Sequence, residues 1–552
     1  MSDKIYFFNN LAENKQKICI IIGLISLILF FINAYKIKWV LVDINDFLGL
    51  TSHLSIFYWI GFFLVLFCTL ILYHYDRNVN QILYFFFLMV MGLYLLNIGV
   101  FVEENARFPW TYYPSGEAKI ILSTNHVDIS SPYPLTSYHF WPGIHFLTVM
   151  LISLNQLNFE TLLKYMPLFW TFCFILLTYS IGKVVLKESK LSFIFTFLAI
   201  LSFWSFHNYY GPQSVGILVY LLFLLLFLIV FERYTHEKFN KFFLLMMLIF
   251  FTLTIIHFLT VIAILIPFLF ASLYLYFKKQ KIIFLGLGIV FGLIFLVWNI
   301  YFTNFIFEYS INEIIYQTSN YELFSFFNTV KYSTTEILTR KIVHYLRLSY
   351  LIIYFLLISY AFMIYLFKNK NNRHEIGFLF VWVFGIIILL IGRYGANEID
   401  DRVYILSLIP MLLIIMLTFS KKTLLFVILI LAFMHIPSHY GTESYEMVRT
   451  TELIGSKFFA IETLNSEDSF SYHFRSFIYY YDPKKILVPW YSFTGAFKPD
   501  INLLNFADYI IESKQSNDFM IYCFGYNPVN KWLNLENPSL IYNNKYYNIY
   551  KK

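Results

Sequence analysis

The stretch "QSVGILVYLLFLLLFLIVF", residues 213–231, decides the class of fold, because it contains no charged side chain. An α-helix rises about 1.5 Å per residue, so a run of about twenty apolar residues crosses the hydrocarbon core of a bilayer. The rest of the chain is similar in character: 552 residues, 59% hydrophobic, only 13% charged, with a mean hydropathy of +0.65. A soluble domain carries about 25% charged residues. We therefore predict a polytopic membrane protein.

Similar apolar runs recur along the chain, and they predict about thirteen transmembrane helices. The predicted spans are roughly 18–35, 54–73, 82–102, 162–184, 191–207, 213–231, 241–257, 260–277, 282–302, 346–367, 376–392, 403–418 and 423–436. The prediction is thus an α-helical membrane domain over residues 1–436, followed by a smaller domain at 437–552.

Positive charge predicts the side of each loop, because cytoplasmic loops are enriched in lysine and arginine. When the N-terminus is placed in the cytoplasm, nearly every short loop that falls inside is basic. The basic residues are Lys4, Lys15, Lys17, Lys183, Lys187, Lys190, Arg233, Lys238, Lys241, Lys278, Lys279, Lys281, Lys368, Lys370, Arg373, Lys421 and Lys422. The long segments 103–161, 303–345 and 437–552 then lie outside the cell membrane.

The run at 141–157, "WPGIHFLTVMLISLNQL", is apolar but short for a span. Counting it as a span would reverse every later loop and place the basic loops outside. We therefore predict that it forms a helix lying in the outer interface of the membrane.

The C-terminal segment differs in kind from the rest, because polar residues return after His435. Strand-like patterns occur at 507–513, 519–524 and 539–552, and Asn-Asn-Lys between two tyrosine-rich runs predicts a hairpin in the last. The run at 451–464 has helical periodicity. These patterns predict a small extracytoplasmic α/β domain with its own core.

The composition also argues against several functions. The net charge of +7 comes from residues scattered through short loops, not from a basic stripe, which argues against a nucleic-acid partner. The four cysteines contain no Cys-x-x-Cys spacing, so neither a zinc site nor a redox motif is indicated. The predicted spans hold almost no ionisable residue at mid-depth, whereas proton-coupled transporters and pumps usually need such residues.

Polar and ionisable residues are concentrated in the predicted outer loops. The first such loop is "EENARFPWTYYPSGEAKIILSTNHVDISSPYPLTSYHFWPGIHFL" at 103–147. Glu103 and Glu104 directly follow the third predicted span, and Glu117 and Asp128 come later. A carboxylate at a helix end can act as a general base or bind a divalent cation; the alternative is an ordinary solvated carboxylate. No cofactor is certain, and a divalent cation, Mg or Mn, held by Asp128 and Glu104 is the open alternative. The histidines of this loop are His126, His139 and His145.

A second polar group lies in "FHNYYGPQS" at 206–214, between two predicted spans on the outer side. The Gly-Pro pair predicts a turn, and His207, Tyr209 and Gln213 can face a cavity. The alternative is a simple connection whose polar side chains anchor the helix ends at the interface.

A third group lies in "GRYGANEIDDRVYILSLIP" at 392–410, where Arg393 and Arg402 flank three acidic residues. Arginine binds phosphate through two parallel hydrogen bonds, which lysine cannot reproduce. An outer arginine also departs from the positive-inside trend. The alternative is an arginine–aspartate pair that holds the loop. A further basic group, which binds a lipid phosphate or only anchors to headgroups, consists of Arg340, Lys341, His344 and Arg347.

Together these features resemble the GT-C superfamily of multi-span glycosyltransferases, which use polyprenyl-phosphate-linked sugar donors. The relevant members are relatives of oligosaccharyltransferases, protein mannosyltransferases and lipid A aminoarabinose transferases. The resemblance is carried by the acidic outer loop followed by "YHFWPGIHFL", and by "YYGPQSVGILVYLLFLLL", "IIHFLT" and "DDRVYILSLIP". Where the family places aspartate-containing signatures just beyond the preceding span, this chain has Glu103 and Glu104. Glu117 is the competing candidate.

The resemblance implies a glycosyltransferase acting at the outer face of the cell membrane, with relevance to protein glycosylation and the cell envelope. Arg402, with Arg393 or Arg340, would bind the donor phosphate and stabilise its charge as it leaves. A loop carboxylate would deprotonate the acceptor hydroxyl, whether the acceptor is a glycan, lipid or protein. The aromatic residues expected to stack on the sugar are Trp110, Tyr112 and Tyr113. Substrate or cavity contacts are also expected from His139, His207, Tyr209 and Gln213.

Two other functions remain open from the sequence. One is a non-catalytic subunit of surface-glycan assembly with the same architecture. The other is a flippase or transporter of lipid-linked glycans, for which a charged central cavity would be expected. The sequence does not identify the sugar, the acceptor or the oligomeric state.

Overall fold

The computed structural model describes most of the chain. The described residues are 2–37, 40, 42–74, 79–127, 141–204, 208–232, 236–278, 283–304, 307–308, 312, 338–367, 373–392, 398–462, 469–470, 475–481, 487–488, 509–524, 529, 533, 538–544 and 546–551.

Helices dominate the described residues. In chain order they are α1 Ser2–Lys36, α2 Ile56–His74, α3 Gln81–Leu96, α4 Ile98–Val102, α5 Tyr112–Thr124, α6 Gly143–Asn155, α7 Phe159–Leu186, α8 Ser189–Ser202, α9 Pro212–Glu232, α10 His236–Ile256, α11 Phe258–Phe277, α12 Ile283–Tyr301, α13 Leu338–Phe367, α14 Arg373–Ile387, α15 Glu398–Thr418, α16 Lys421–Tyr440, α17 Glu443–Glu446, α18 Thr450–Glu462, α19 Arg475–Tyr481 and α20 Lys514–Phe524. Short 3-10 helices occur at Gly49–His53, Pro109–Thr111 and Ile388–Gly392.

Among these described helices, eight are long and apolar enough to cross a membrane. They are Gln16–Lys36, Ile56–His74, Phe159–Leu186, Pro212–Phe231, Phe258–Phe277, Ile283–Tyr301, Lys341–Phe367 and Lys421–Tyr440. Six shorter apolar helices accompany them, at Gln81–Leu96, Gly143–Asn155, Ser189–Ser202, Lys241–Ile256, Ile376–Leu390 and Arg402–Thr418. The fold is therefore that of a helical, multi-pass membrane protein. The count of thirteen spans and the orientation of the termini remain predictions.

The third predicted span, 82–102, is two helices, α3 and α4, which meet at Asn97. The backbone leaves helical geometry there, with ψ of 5° at Asn97. Its side-chain amide donates to the Gly92 carbonyl at 3.2 Å, and Asn208 donates to its side-chain oxygen at 3.1 Å. Polar side chains therefore stabilise the break, which hydrophobic periodicity does not reveal.

The first three helices pack closely through small and aromatic residues. The Ser26 hydroxyl in α1 donates to the Gly61 carbonyl in α2 at 2.8 Å, and Tyr94 in α3 donates to the Ser26 carbonyl at 2.7 Å. Small residues let helix backbones approach each other, and hydrogen bonds between helices are a recurring stabilising contact within membranes.

The predicted interfacial helix at 141–157 is present as α6, which packs against α5 and α10. Its placement in the membrane interface remains a prediction.

The C-terminal segment contains a five-stranded sheet with strand order β2-β1-β3-β5-β4. The strands are β1 Ser469–Phe470, β2 Leu487–Val488, β3 Tyr509–Ser513, β4 Ser539–Asn543 and β5 Tyr547–Lys551. β4 and β5 form the predicted antiparallel hairpin, and α18 is the predicted helix. The predicted strand at 519–524 is wrong, because these residues continue α20, where buried Met520 lies on a helix that begins directly after β3.

Two buried apolar clusters hold the molecule together. The larger lies among the long helices and includes residues of α1, α8, α15 and α16. The smaller combines α5, α6 and α7 with the C-terminal segment; Tyr112, Ile144, Leu163, Phe477 and Ile549 all belong to it. Among the described residues, the C-terminal segment therefore shares this cluster with residues of the 103–161 segment.

Candidate functional site

The acidic pair Glu103–Glu104 lies where α4 ends. The Glu103 amide donates to the Gly99 carbonyl at 2.9 Å, and its side chain is only 4% exposed. Glu104 is exposed, and its carbonyl accepts a hydrogen bond from the Lys164 ammonium at 3.1 Å. Lys164, near the start of α7, interacts electrostatically with both carboxylates. The pair thus presents one buried and one accessible carboxylate beside a cation.

A second cation, Arg107, approaches Glu103 from the other side. A Cβ atom on Gly99 would lie 2.6 Å from Glu103 Oε1 and 3.7 Å from Arg107 Nη1, so both side chains converge on this glycine. Arg107 Nη2 donates to Glu446 Oε2 at 3.0 Å, and its guanidinium lies 5.3 Å from the centre of the Tyr440 ring.

The backbone reinforces this ion pair. The Phe108 amide donates to the Glu446 carbonyl at 2.9 Å, and the Asn105 amide group donates to the Val448 carbonyl at 3.1 Å. The segment 105–108 is therefore held directly against the start of the C-terminal segment.

Two histidines lie one turn apart at the C-terminal end of α16, with ring centres 5.4 Å apart. His435 Nδ1 lies 2.9 Å from the Leu201 carbonyl oxygen, and His439 Nδ1 lies 3.0 Å from that of Trp204. Both nitrogens therefore act as donors. The two imidazoles fasten the end of α8 to α16.

Arg347, near the start of α13, completes the arrangement. Its guanidinium donates to the Ser438 carbonyl at 2.9 and 3.0 Å and to the Thr442 hydroxyl at 3.2 Å. It also lies 5.0 Å from the centre of the Trp204 ring. His439 lies between Ser438, whose carbonyl accepts from Arg347, and Tyr440, whose ring lies against Arg107, so both guanidinium groups contact its chain neighbours.

We call these residues the charged cluster. Its members are Glu103, Arg107, Arg347, His435, His439 and Glu446. Arg107 is paired with the Glu446 carboxylate, whereas Arg347 donates to a carbonyl and a hydroxyl; burial of such charges is costly unless their polar groups are satisfied. Ionisable groups at the membrane end of a helical bundle commonly mark a functional site. The arrangement can hold a carboxylate in one geometry and can compensate negative charge on a bound phosphate.

Glu117, the competing base, lies on α5 and is 1% exposed. One turn earlier on the same helix, the Pro114 carbonyl oxygen lies 3.0 Å from His145 Nδ1 on α6. Tyr113 is also buried, whereas Trp110 is 37% exposed. Of these predicted residues, Trp110 is thus the one that an external sugar can reach without rearrangement.

The second predicted group lines a cavity only in part. Asn208 and Ser214 line a small cleft, beside Trp170 and Thr171 of α7. Tyr209 instead donates to Gln213 at 3.4 Å and packs on Phe108 at 4.8 Å between ring centres. His207 lies outside the described residues.

Of the three arginines predicted to bind the donor phosphate, only Arg402 has a side chain among the described residues. Arg402 is half-buried near the start of α15, two residues before Tyr404. The Tyr404 hydroxyl donates to the Ser202 carbonyl at 2.9 Å, and its ring centre lies 5.3 Å from that of Trp204. Arg402 is therefore at the same end of the bundle as the charged cluster. The side chains of Arg340 and Arg393 lie outside the described residues, as do Asp128 and His139.

The described residues contain no group of three or more histidine, cysteine, aspartate or glutamate side chains able to hold a metal ion. The predicted cation site of Asp128 and Glu104 therefore remains a prediction.

Lys119 on α5 joins the outer loop to the C-terminal segment. Its ammonium donates to the Tyr480 carbonyl at 3.1 Å, lies 3.1 Å from the centre of the Tyr480 ring, and is flanked by the rings of Phe159 and Tyr481. Burial lowers the pKa of Lys119 to about 8, against an opposing effect of Glu160.

The sequence reasoning missed Arg107, Lys164 and Glu446 and gave no role to His435 and His439. Two signals could have identified some of them. Arg107 is a basic residue in a loop predicted to lie outside, and the two histidines are four residues apart at the end of a predicted span, hence on one helix face. Nothing local marks Glu446.

The long apolar helices and the buried charges at one end of the bundle define a multi-pass helical membrane protein. The chain matches no protein-family model and no curated protein sequence.

Proposed function

We propose that this protein is an integral membrane glycosyltransferase that transfers a sugar from a polyprenyl-phosphate-linked donor to an acceptor at the outer face of the membrane. The observation that supports this most is the acidic pair Glu103–Glu104 at the end of α4, with Arg107 and Lys164 nearby. Glycosyl transfer to a hydroxyl needs a carboxylate base, and it needs cations where the phosphate leaves.

In this proposal Glu104 is the base, because it is the accessible member of the pair. It takes the proton of the acceptor hydroxyl as the oxygen attacks the anomeric carbon. The bond from that carbon to the phosphate oxygen breaks, and the polyprenyl phosphate leaves with the electron pair. Attack from the side opposite the phosphate inverts the anomeric centre.

Glu103 has a different part in the proposed reaction. Its buried carboxylate faces Arg107 and Lys164, and so it holds two cations near the base. Arg402 binds the donor phosphate at the headgroup level, since it opens a helix at the same end of the bundle. Trp110 offers an exposed aromatic face for the sugar.

The non-catalytic alternative is favoured by one observation. Arg107 and Glu446 pair with each other at 3.0 Å in a buried setting, which a purely structural network also explains. A flippase of lipid-linked glycans is the other alternative. Both alternatives predict that the purified wild-type protein transfers no sugar.

The test is transfer by purified full-length protein, with polyprenyl-phosphate hexose and pentose donors and hydroxyl acceptors. Glu104→Gln should lower transfer by about 10²-fold or more while the protein still folds. Glu117→Gln is the matched control, because it also removes one loop carboxylate. If Glu117→Gln abolishes transfer and Glu104→Gln does not, the base is Glu117. If wild-type protein transfers no sugar from any of these donors, the proposed function is wrong.

A further inference from the structure

Arg107 connects three parts of the molecule that are distant in sequence. It follows the acidic pair by three residues, its guanidinium pairs with Glu446, and Tyr440 at the end of α16 provides a ring beneath it. The Arg107 carbonyl also accepts a hydrogen bond from the Thr111 hydroxyl at 3.1 Å. Both the side chain and the backbone of this residue are therefore held.

The acidic pair is held from both sides as a consequence. On its N-terminal side, α4 ends with the Glu103 amide bonded to Gly99. On its C-terminal side, Arg107 and the Phe108 amide are both bonded to Glu446. Only three residues, 104–106, separate these two anchors, so the chain between them has little freedom.

We propose that Arg107 is a positioning residue for the Glu103–Glu104 pair, and that Glu446 acts through Arg107 by holding its guanidinium. This inference rests on the proposed function, in which the pair supplies the base. Arg107 has two effects on the pair: it restrains the backbone, and its positive charge favours the ionised carboxylates.

The charged groups around the pair determine the sign of each effect. Lys164 on α7 donates to the Glu104 carbonyl, and Arg107 lies near Glu103 and pairs with Glu446. His439 directly precedes Tyr440, whose ring lies against the Arg107 guanidinium. Removing the charge of Arg107 should make the pair harder to ionise. Removing the charge of Glu446 should have the opposite effect, because Arg107 then acts on the pair uncompensated.

The chain provides a matched control. Arg449 pairs with buried Glu452 at 3.3 Å, and both of these side chains are at least as buried as those of Arg107 and Glu446. This second pair lies within the C-terminal segment. Arg449→Gln should therefore destabilise the protein as Arg107→Gln does, without affecting the acidic pair.

The first measurement does not depend on activity. The carbonyl band of the protonated carboxyl groups is followed by infrared titration of full-length protein, and Glu103→Gln and Glu104→Gln identify the bands of the pair. In Arg107→Gln the midpoint should rise by about one pH unit. In Glu446→Gln it should fall, and in Arg449→Gln it should not move. A midpoint unchanged by Arg107→Gln would overturn the positioning role.

The second measurement is the pH profile of sugar transfer. Arg107→Gln should lower kcat about tenfold and move the acidic limb to higher pH, while KM for the donor changes little. Arg107→Lys keeps the charge and should retain the wild-type limb. If Arg107→Gln does not fold, the fall of the carboxylate midpoint expected in Glu446→Gln still tests the positioning role of Arg107. Shifted midpoints without any wild-type transfer would sink the proposed function but leave the positioning role standing.

Discussion

Gly99 offers a direct way to move the Glu103 carboxylate without deleting it. A Cβ atom at this position would lie 2.6 Å from Glu103 Oε1, closer than real Cβ contacts come, and 3.4 Å from Glu103 Cδ. In Gly99→Ala the Glu103 Oε1 atom must therefore move until it lies at least 3.4 Å from the new Cβ atom, which is the distance of an ordinary contact. The obstructing atom is the end of a flexible side chain, so the carboxylate moves and the helix stays.

Gly99→Ala should therefore change the stability of the protein little but lower its rate of sugar transfer. Alanine is favoured over glycine in a helix by about 1 kcal/mol, and overpacking of a rigid site costs about 1–3 kcal/mol. Because the carboxylate can move, the gain from alanine and the cost of overpacking should nearly cancel. The free energy of unfolding should then change by no more than about 1 kcal/mol. Displacing a catalytic group by about 1 Å can cost about 10²-fold in rate. Because Glu103 acts beside the base rather than as the base, we expect a loss of about tenfold.

The assay compares thermal unfolding and sugar transfer in Gly99→Ala and in Gly292→Ala. Gly292 is the matched control, because it lies in α12 and a Cβ atom there would meet nothing within 4 Å. Gly292→Ala should keep full transfer. Wild-type transfer in Gly99→Ala would show that the position of Glu103 does not matter. A loss of more than about 3 kcal/mol of stability would show that the carboxylate cannot move.

Three further predictions concern other parts of the molecule. Burial lowers the pKa of Lys119 to about 8, whereas an unfolded lysine has a pKa of about 10.4. Between these two pH values the unfolded chain binds more protons than the folded chain. The free energy of unfolding should therefore rise with pH across this window. Thermal unfolding from pH 7 to 10 tests this, and Lys119→Met should remove the rise; a flat wild-type profile would contradict it. Cys19 in α1 and Cys68 in α2 are free thiols buried in the same apolar cluster of two packed helices, so a membrane-soluble oxidant should join them in a disulfide. Mass spectrometry of the linked peptides detects the disulfide, and failure to form it would refute this packing. Arg402→Lys should fold normally and bind the polyprenyl-phosphate donor about tenfold more weakly, or about 1.4 kcal/mol, because lysine lacks the forked donors; unchanged affinity would exclude a bidentate phosphate contact.

The membrane helices were the most predictable part of the fold. A run such as 213–231 leaves few alternatives in a bilayer, since backbone polar groups there must be satisfied within the segment, and the helix is found at Pro212–Glu232. The break at Asn97 was not predictable in the same way. It depends on hydrogen bonds with Thr171 and Asn208, which lie 74 and 111 residues further along the chain.

The C-terminal segment shows the limit of short patterns. The apolar run at 519–524 suits a strand, and the preceding "SKQSND" gives no strong sign of a helix start. In the structure the chain leaves β3 and enters α20 at once, with the Ser516 amide donating to the Ser513 hydroxyl at 3.2 Å. Side-chain capping of this kind decides between helix and strand where the apolar pattern is ambiguous.

The candidate site was predictable in its location but not in its pairing. The acidic pair is conspicuous because two glutamates follow an apolar run, and Arg107 is visible in the same loop. Their partner Glu446 lies 339 residues beyond Arg107, in a short helix without any distinguishing motif. No periodicity or spacing connects residues so far apart; only the folding of the chain brings them together.

This long-range pairing has a consequence for how the molecule works. Loss of one partner of a buried ion pair costs about 3–5 kcal/mol, because the remaining charge is left uncompensated. The buried pair of Arg107 and Glu446 therefore links the acidic pair to the C-terminal segment more firmly than an ion pair on the surface would. Lys119 adds a second link between the same two regions. A change in the C-terminal segment can thus reach the acidic pair through Glu446 and Arg107, without any contact between that segment and a sugar donor.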